Sequence, residues 1–469
     1  MVTFRQRKRL SDAKVAILSL LTLLISFSVL QIKEVEAEDN QQIDSLRIER
    51  KGPLTQIPTH LTLSQAIRIA LKESPLLASK SNMVSAFKQR ERAAKGSLLP
   101  KVDAYSSYRR LNEPQLVVPM KSFERKNAFF SRDHYSYGLS LKVPLFEGGR
   151  LWTNITMAEL SKAISKEDFR LTSQELIYNI TNVFNEILFL KDLENAQNET
   201  LSALKKLRAD ARTRLRVGRL APVDLMRIDT QVAEQESSLE STRQERVRAL
   251  ETLAQLMGRQ PQEVKDIRGR LMEHGVNEVE KSPHEISTLV SQRPDVKKAW
   301  NEMKLLEKTI RYQKGLHLPR LDLVGDYGRK AGSGFEGDEE QWSAGLVVSL
   351  NIFSGGVISA KVKEAEERYL ASRNRYENVR LSAIKEVMHA ISEMKEASKR
   401  LRAARSALKA AKESFRIEEV RYRTGVGTVT DSLLSQSAWL RARANVYRAL
   451  FDCEKALMDF RLATGRVGI

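Results

Sequence analysis

The chain has 469 residues, of which 42% are hydrophobic and 29% are charged, and this balance is typical of a folded protein rather than a disordered one. The formal net charge of +19 would suit a nucleic-acid-binding protein, but the basic residues alternate with acidic ones along predicted helices, so we expect no nucleic acid as a partner. One cysteine and six scattered histidines exclude a disulfide framework and show no metal-ligand spacing, and we expect neither a metal nor a cofactor.

The N-terminus is typical of an export signal. A basic stretch that ends at Lys14 precedes an apolar run over residues 15–30, and Val35-Glu36-Ala37 offers a plausible cleavage site. An uncleaved membrane anchor is the alternative, because the apolar run is close to the shortest length that spans a bilayer, about 17 residues. We predict that residues 1–37 are a signal peptide, that residues 38–60 are an N-terminal extension, and that the protein is exported.

The same landmarks occur twice along the remaining chain. Pro75 recurs as Pro294 and Pro100 recurs as Pro319, both at one constant spacing. Further landmarks share a second, smaller spacing: Phe146 recurs as Phe353, Gly218 as Gly425, Asp224 as Asp431 and Gly258 as Gly465. The register therefore changes only between Pro100 and Phe146, where the first copy is 12 residues longer. This pattern indicates a tandem duplication whose one length-tolerant segment is a loop.

Each copy opens with a helical pattern, at residues 62–97 and 284–316, and then changes to an alternation with a period of two. In residues 135–145, for example, apolar side chains alternate with small or polar ones. We predict two strand hairpins, at residues 101–146 and 320–353. Alternating segments of about ten residues with aromatics at one end are typical of a membrane β-barrel, although a half-buried hairpin in a soluble sheet would alternate in the same way.

A very long helix follows each hairpin. Residues 150–216 contain neither proline nor glycine and would reach roughly 100 Å, and apolar residues such as Ile180 and Ile187 recur at steps of three and four, as in a coiled-coil seam. Gly218 and Gly425 suit a left-handed C-cap. The predicted long helices, each with the antiparallel helix that follows it, are 150–217 with 222–258 and 357–424 with 430–464. The repeats then span residues 61–258 and 284–469, joined by a linker at residues 259–283.

Three kinds of motif occur twice and in the same order. Leu99-Pro100 and Leu318-Pro319 precede the strands, Phe-x-Gly-Gly follows them at residues 146–149 and 353–356, and Gly-x5-Asp forms the helix turns at residues 218–224 and 425–431. Together with the order of the elements, these motifs resemble the TolC-like outer-membrane efflux protein family over about residues 60–466.

The resemblance implies a mixed α and β membrane protein that is a homotrimer. Four strands from each chain would form a 12-stranded barrel in outer-membrane lipid, continued by a long periplasmic α-helical barrel. The implied location is the outer membrane of a Gram-negative bacterium, with the helices extending into the periplasm. The implied function is the exit duct of a tripartite efflux or type I secretion system, with a periplasmic adaptor (membrane fusion) protein and an inner-membrane pump as partners. The length-variable loops near Asn112–Asp133 and Lys330–Gln341 would then face the outside.

In this family the turns at the periplasmic end hold the gate and the adaptor contact. Gly218 and Asp224 match the family's turn in the first repeat, where Leu215 stands at the position of the family's tyrosine. The resemblance implies a periplasmic gate formed by Asp224, Tyr422 and Asp431. It implies adaptor-contacting tips at Val217, Gly218, Arg219, Thr424, Gly425 and Val426, and strand-to-helix junction glycines at Gly148, Gly149, Gly355 and Gly356.

Two departures from the family prototype concern the gate. The prototype has an arginine where this chain has Gly427, and an acidic residue where this chain has Leu434. Three arginines are candidates to replace the missing link: Arg219, Arg421 and Arg423. A simpler interpretation of Asp224 and Asp431 is that each is the N-cap of the helix that follows it.

Two other functions compete with the duct. An exported structural coiled-coil protein, such as a filament subunit or an adhesin, would explain the helices and the duplication but not the two alternating hairpins. An enzyme would need a reactive site, and the sequence contains no glycine-rich phosphate loop, no nucleophile elbow and no set of metal ligands. We therefore expect no catalytic activity.

Overall fold

The computed structural model describes residues 57–117, 130–272, 282–332 and 339–467. The predicted signal peptide, most of the N-terminal extension and the middle of both predicted loops lie outside these residues. The first repeat consists of α1 (Leu63–Glu73), α2 (Pro75–Gly96), β1 (Lys101–Leu116), β2 (Phe130–Glu147), α3 (Arg150–Arg216) and α4 (Pro222–Leu256). The second consists of α5 (Pro283–Gln292), α6 (Pro294–Lys314), β3 (Arg320–Ala331), β4 (Glu339–Ser349), α7 (Val357–Arg423) and α8 (Val429–Ala463).

The backbone repeats in the same way as the sequence. The long helices α3 and α7 have 67 residues each, and α4 and α8 have 35 each. Among the described residues, every glycine with a positive φ has a counterpart in the other repeat at the spacing of the second set of landmarks: Gly148 with Gly355, Gly149 with Gly356, Gly218 with Gly425 and Gly258 with Gly465. A positive φ is costly for residues that carry a side chain. The tandem duplication predicted from the sequence is therefore confirmed.

The sequence predicts one helical pattern before each strand hairpin, but the structure interrupts it. Residues 62–97 and 284–316 each contain two helices, and the second helix of each pair begins at Pro75 or Pro294. The preceding residues, Ser74 and Arg293, are extended, with ψ of 122° and 139°. The proline ring disfavours helical conformation in the residue before it but suits the first position of a new helix.

The four strands form one antiparallel sheet in the order β1-β2-β3-β4. Cross-strand rows alternate between two faces: Leu139, Tyr327 and Trp342 share one row, and Ser140, Asp326 and Ser343 share the next. The apolar side chains are about half exposed. One face of the sheet is therefore apolar and uncovered by the chain itself, and the other is polar, which confirms the predicted alternation.

The sheet boundaries differ from the prediction in two places. β4 ends at Ser349, so the predicted strand to residue 353 is four residues too long. Ser349 is paired with Arg320, and the residue before Arg320 is a proline, which has no N–H to continue the ladder. At the other end, β1 continues to Leu116 and β2 starts at Phe130, so the first loop is shorter than residues 112–133.

The described residues divide into two compact units. One contains residues 83–165 and 300–375, and the other contains residues 57–82, 166–299 and 376–467. In the second unit, the predicted seam of α3 is buried, with Ile180 and Ile187 fully enclosed against α1 and α4. Residues of the predicted linker join this core, since Ile267 is buried there and pairs with Leu61. No helix in the described ranges combines the length and apolar character needed to cross a membrane.

Asp168 of α3 connects the two repeats within the second unit. Its carboxylate oxygens lie 2.5 Å from Lys80 Nζ of α2 and 2.5 Å from Lys298 Nζ of α6. Burial alone would raise the pKa of the Asp168 carboxyl, but the two ammonium groups outweigh it and the pKa lies below its ordinary value. The carboxylate therefore stabilises the fold above the unfolded-state pKa of about 3.9.

We expect Asp168→Asn to lower the free energy of unfolding by about 1–2 kcal/mol at neutral pH, seen as a lower melting temperature by circular dichroism. The difference between Asp168→Asn and the native chain should disappear as the pH falls through the folded-state pKa. Lys80→Met should cost less than Asp168→Asn, because Lys298 still pairs with the carboxylate. Equal melting temperatures for the native chain and Asp168→Asn at pH 7 would contradict this role.

Candidate functional site

The two helix turns have the conformation that their glycines predict. Gly218 has φ of 70° and Gly425 has φ of 80°. In the first turn the Arg219 N–H donates to the Arg214 carbonyl at 2.8 Å, and in the second the Val426 N–H donates to the Arg421 carbonyl at 3.0 Å. These bonds satisfy carbonyls that the helix end leaves unpaired. The left-handed C-caps predicted for α3 and α7 are confirmed.

Gly427 makes the second turn tighter than the first. Its N–H also donates to the Arg421 carbonyl, at 2.9 Å, and a Cβ added at residue 427 would lie 3.0 Å from both Arg421 Cβ and Tyr422 N. A side chain fits at residue 427 only if the end of α7 moves. The glycine that replaces the prototype's arginine is therefore part of the turn's own geometry.

The two aspartates are not N-caps, so that interpretation is wrong in detail. α4 and α8 have Ala221 and Thr428 as their N-caps, which makes Asp224 and Asp431 the third helical residues. The Asp431 N–H donates to Thr428 Oγ1 at 3.1 Å, and the Thr428 hydroxyl donates to Asp431 Oδ2 at 2.7 Å. A carboxylate in the first turn is favoured by the helix dipole, and both carboxylates keep lone pairs that can bind other groups.

Arg227 of α4 connects the two turns and was not predicted from the sequence. Its Nη1 donates to Thr430 Oγ1 at 2.7 Å and lies 3.4 Å from Asp224 Oδ1. Two of the arginines that were candidates for such a link are engaged elsewhere: Arg421 and Arg423 pair with Glu418 and Glu419 on their own helix. The sequence contains one signal for Arg227, which is a difference between the repeats: the equivalent position of the second repeat is Leu434.

Tyr422 packs between the two helical hairpins, α3 with α4 and α7 with α8, rather than lying free at the turn. It is 7% exposed and belongs to a cluster with residues of α3, α4 and α8, which include Leu204, Ile228 and Leu433. The Arg214 guanidinium lies over its ring, 4.9 Å from the centroid. Burial raises the pKa of the Tyr422 hydroxyl. The tyrosine thus ties the second turn to the first hairpin through packing, while Arg227 does so through hydrogen bonds.

Comparisons with known proteins identify the family of this chain. The family model described as outer membrane efflux protein matches residues 66–259 and 286–466, which is most of the chain. The chain belongs to the outer membrane efflux protein family. Outer membrane protein TolC of Salmonella enteritidis is 22% identical over 344 residues, covering 70% of this chain and 69% of TolC. Outer membrane protein OprJ of Pseudomonas aeruginosa is 27% identical over 186 residues, covering 38% of this chain and 39% of OprJ.

Solved outer-membrane channels have the same fold. VceC of Vibrio cholerae superposes with a TM-score of 0.75 and 17% identity, covering 86% of this chain and 96% of VceC. The open state of MtrE of Neisseria gonorrhoeae gives a TM-score of 0.73 and 20% identity, covering 88% of this chain and 93% of MtrE. As a member of this family of transport proteins, the chain is an outer-membrane efflux channel that extends into the periplasm, as the sequence predicts. The sheet and the family match set aside the structural coiled-coil alternative.

The tips of this efflux protein expose apolar side chains beside the two glycines. Val217 is 63% exposed and Val426 is 74% exposed, and further exposed apolar residues lie within a few turns of each glycine: Val223, Met226 and Leu434. Gly218 and Gly425 are themselves open, with no atom within 4 Å of an added Cβ. Apolar groups at the end of an exposed hairpin suit contact with another protein.

The junction glycines take left-handed conformations between strand and helix, with φ between 60° and 79°. Gly148 also permits a close approach, because a Cβ there would lie 2.3 Å from the Gly315 carbonyl oxygen. The other three, Gly149, Gly355 and Gly356, have open space around them. All four therefore turn the chain from strand into helix, and Gly148 additionally fixes how closely the end of α6 approaches.

Proposed function

We propose that three copies of this chain form a continuous duct, in which twelve strands close a β-barrel and the long helices close an α-helical barrel. The observation that carries this proposal is the four-stranded sheet with one apolar face and two open edges, at β1 and β4. In lipid, each unpaired backbone group costs several kcal/mol, so such a sheet has to close by pairing with other copies. The count of three rests on the chain's family.

The assembly is tested by measuring the mass of the detergent-solubilised protein. Light scattering or native mass spectrometry should give three chains, with mixed β and α content in circular dichroism. A monodisperse monomer in detergent would contradict the duct.

The partners follow from the turns. We propose that the tips around Gly218 and Gly425 contact a periplasmic adaptor protein, which joins the duct to an inner-membrane pump of a tripartite efflux or type I secretion system. The exposed Val217 and Val426 and the fixed backbone of both turns support this contact. The hydrogen bond that Arg227 donates to Thr430 and the packing around Tyr422 support a closed resting state at the same end.

Asp224 and Asp431 then line the periplasmic mouth in three copies each. A ring of carboxylates attracts cations into a constriction. The hydroxyl of Thr428 holds the Asp431 side chain in place, and an asparagine can accept the same hydrogen bond. Asp431→Asn therefore removes the charge while the helix start is preserved.

In planar-bilayer recordings we expect Asp431→Asn to reduce the preference for cations over anions and to weaken block by multivalent cations. Glu413→Gln is the matched control, because it removes the same charge from an exposed residue about three turns before the end of α7. If both variants leave selectivity and block as in the native channel, Asp431 does not line the constriction.

A further inference from the structure

The long helix α7 contains a segment with one sign of charge. Residues 397–412 include six lysines or arginines and no acidic residue. Four of the six, Arg402, Arg405, Lys409 and Lys412, follow steps of three and four residues and are all exposed. That spacing places them on one face of the helix, where neighbouring like charges destabilise it. We call these four residues the cationic stripe.

Three members of the stripe are not neutralised by the chain's own carboxylates. Within the part of the chain that the structure describes, Arg402, Lys409 and Lys412 have no acidic partner within ion-pair distance. The neighbouring helix α8 adds Arg441, Arg443 and Arg448 between residues 435 and 449 and no acidic residue there. The second-repeat hairpin is therefore basic along this stretch.

The first-repeat hairpin has the opposite charge at the equivalent place. Residues 228–242 of α4, which we call the acidic segment, contain no lysine or arginine and four acidic residues: Asp229, Glu234, Glu236 and Glu240. The stripe itself is absent from α3, where the equivalent residues are Asn195, Asn198, Ser202 and Lys205. Since the two hairpins derive from one duplicated unit, their charges have diverged in opposite directions.

The acidic and basic segments lie at the same distance from the turns. α4 begins at Pro222 and α7 ends at Arg423. At 3.6 residues per turn, Glu234 lies about three turns from the start of α4, and Lys412 lies about three turns from the end of α7. Glu240 and Arg405 each lie about five turns from those same ends. Glu234 and Lys412 are therefore at nearly the same distance from the turns along the helix axis, and so are Glu240 and Arg405.

Among the described residues of one chain, α8 makes contacts with the first-repeat hairpin along its length, and no ion pair joins the stripe to that hairpin through Arg402, Lys409 or Lys412. Arg443 Nη1 of α8 lies 2.5 Å from Glu199 Oε2 of α3, the Tyr178 hydroxyl of α3 donates to Asp459 of α8, and Phe189 packs against Phe451. The stripe of α7 remains exposed beside these contacts. It is accessible to a hairpin from outside the chain.

Part of the acidic segment is accessible in the same way. Glu236 pairs with Lys205 of α3, with 2.7 Å between Oε1 and Nζ. Glu234 and Glu240 are exposed, and the contacts of Glu240 are on its own helix: Gln244 Nε2 donates to it at 2.8 Å and Arg243 Nη1 lies 3.9 Å away. These two glutamates can therefore meet cations that belong to another copy.

We propose that the cationic stripe of α7 packs against the acidic segment of α4 from a second copy of this chain, with Lys412 near Glu234 and Arg405 near Glu240. This inference rests on the proposed duct and names the surfaces that join its helical part. The opposite charges favour contact between unlike hairpins and repel α7 from another α7. The ring of hairpins can then close in only one order.

The first experiment reverses the charges and restores them. In detergent, Lys409→Glu with Lys412→Glu should lower the temperature at which the trimer dissociates, and adding Glu234→Lys with Glu240→Lys should restore the native dissociation temperature. Lys361→Glu with Lys363→Glu is the control, because it makes the same change of net charge on α7 outside the stripe. The native trimer should also dissociate at a lower temperature in about 1 M salt, where charges are screened beyond about 3 Å.

The outcomes separate this inference from the proposed duct. A native chain that is monomeric contradicts the duct. A native chain that is trimeric, together with a Lys409→Glu, Lys412→Glu variant whose trimer is equally stable, overturns the stripe alone. A second measurement tests the inference if the charge-reversed variant fails to fold. Two differently tagged chains, one with Lys412→Cys and one with Glu234→Cys in a Cys453→Ala background, should form a disulfide-linked pair on oxidation, and the absence of that pair also overturns the inference.

Discussion

Gly425→Val should strongly reduce export while the protein still inserts as a trimer. The residue has φ of 80°, which a β-branched side chain tolerates poorly, yet nothing lies within 4 Å of the added Cβ. The cost is therefore one of backbone conformation, on the order of 1–3 kcal/mol, and it falls on the turn alone. If only the native turn contacts the adaptor, that cost weakens docking by roughly 10-fold to 100-fold.

The measurement is export from cells that lack their own copy of the channel, alongside the mass of the purified variant. Gly425→Asn is the control, since asparagine is among the side chains that best tolerate a positive φ. It should retain most of the export. Gly218→Val tests the first turn in the same way, and normal export by both valine variants would show that these turns do not dock.

Arg227→Leu should raise the single-channel conductance several-fold. The native guanidinium bonds Thr430 across the two hairpins and lies beside Asp224. Leucine is the residue that the second repeat carries at the equivalent position, so the substitution suits the first turns of such a helix but cannot make the bond. Without it, the two turns of one chain are held together near their ends mainly by the packing around Tyr422.

Thr430→Val removes the same hydrogen bond from the other side and serves as the second half of a double-mutant cycle. If the bond keeps the mouth closed, each single variant should raise conductance and the double variant should add little to either. Arg227→Lys keeps the charge and should behave more like the native channel. Unchanged conductance in Arg227→Leu would show that this bond is not part of the closed state.

The sequence was most informative where the backbone allows few residues. Gly218 and Gly425 were recognised because a left-handed turn at a helix end strongly favours glycine, and the strand alternation was recognised because side chains of a strand point to opposite faces in turn. Pro75 and Pro294 mark the duplication in the sequence, but the sequence pattern does not predict the helix break at each of them. A proline can end one helix and begin the next, and the helical periodicity continues across both.

The contacts between the two helix turns could be predicted only in part. Arg227 and Thr430 are far apart along the chain, and no local pattern records that their helices meet. The burial of Tyr422 is likewise a tertiary effect, since it depends on residues of α3 and α4. The end of β4 was not predictable from β4 itself. The ladder between β3 and β4 ends beside Pro319, which has no N–H, and the alternation of β4 does not show where its partner strand begins.

The open edges of β1 and β4 also bear on how the protein enters its membrane. In the proposed duct, a lone chain would carry two rows of unpaired backbone groups into lipid, and the desolvation of those groups would oppose the insertion of single chains. We therefore expect chains to meet in the aqueous phase or at the membrane surface before they insert. Insertion should then depend steeply on the concentration of chains, and at low concentration unassembled chains would stay where periplasmic proteases can reach them.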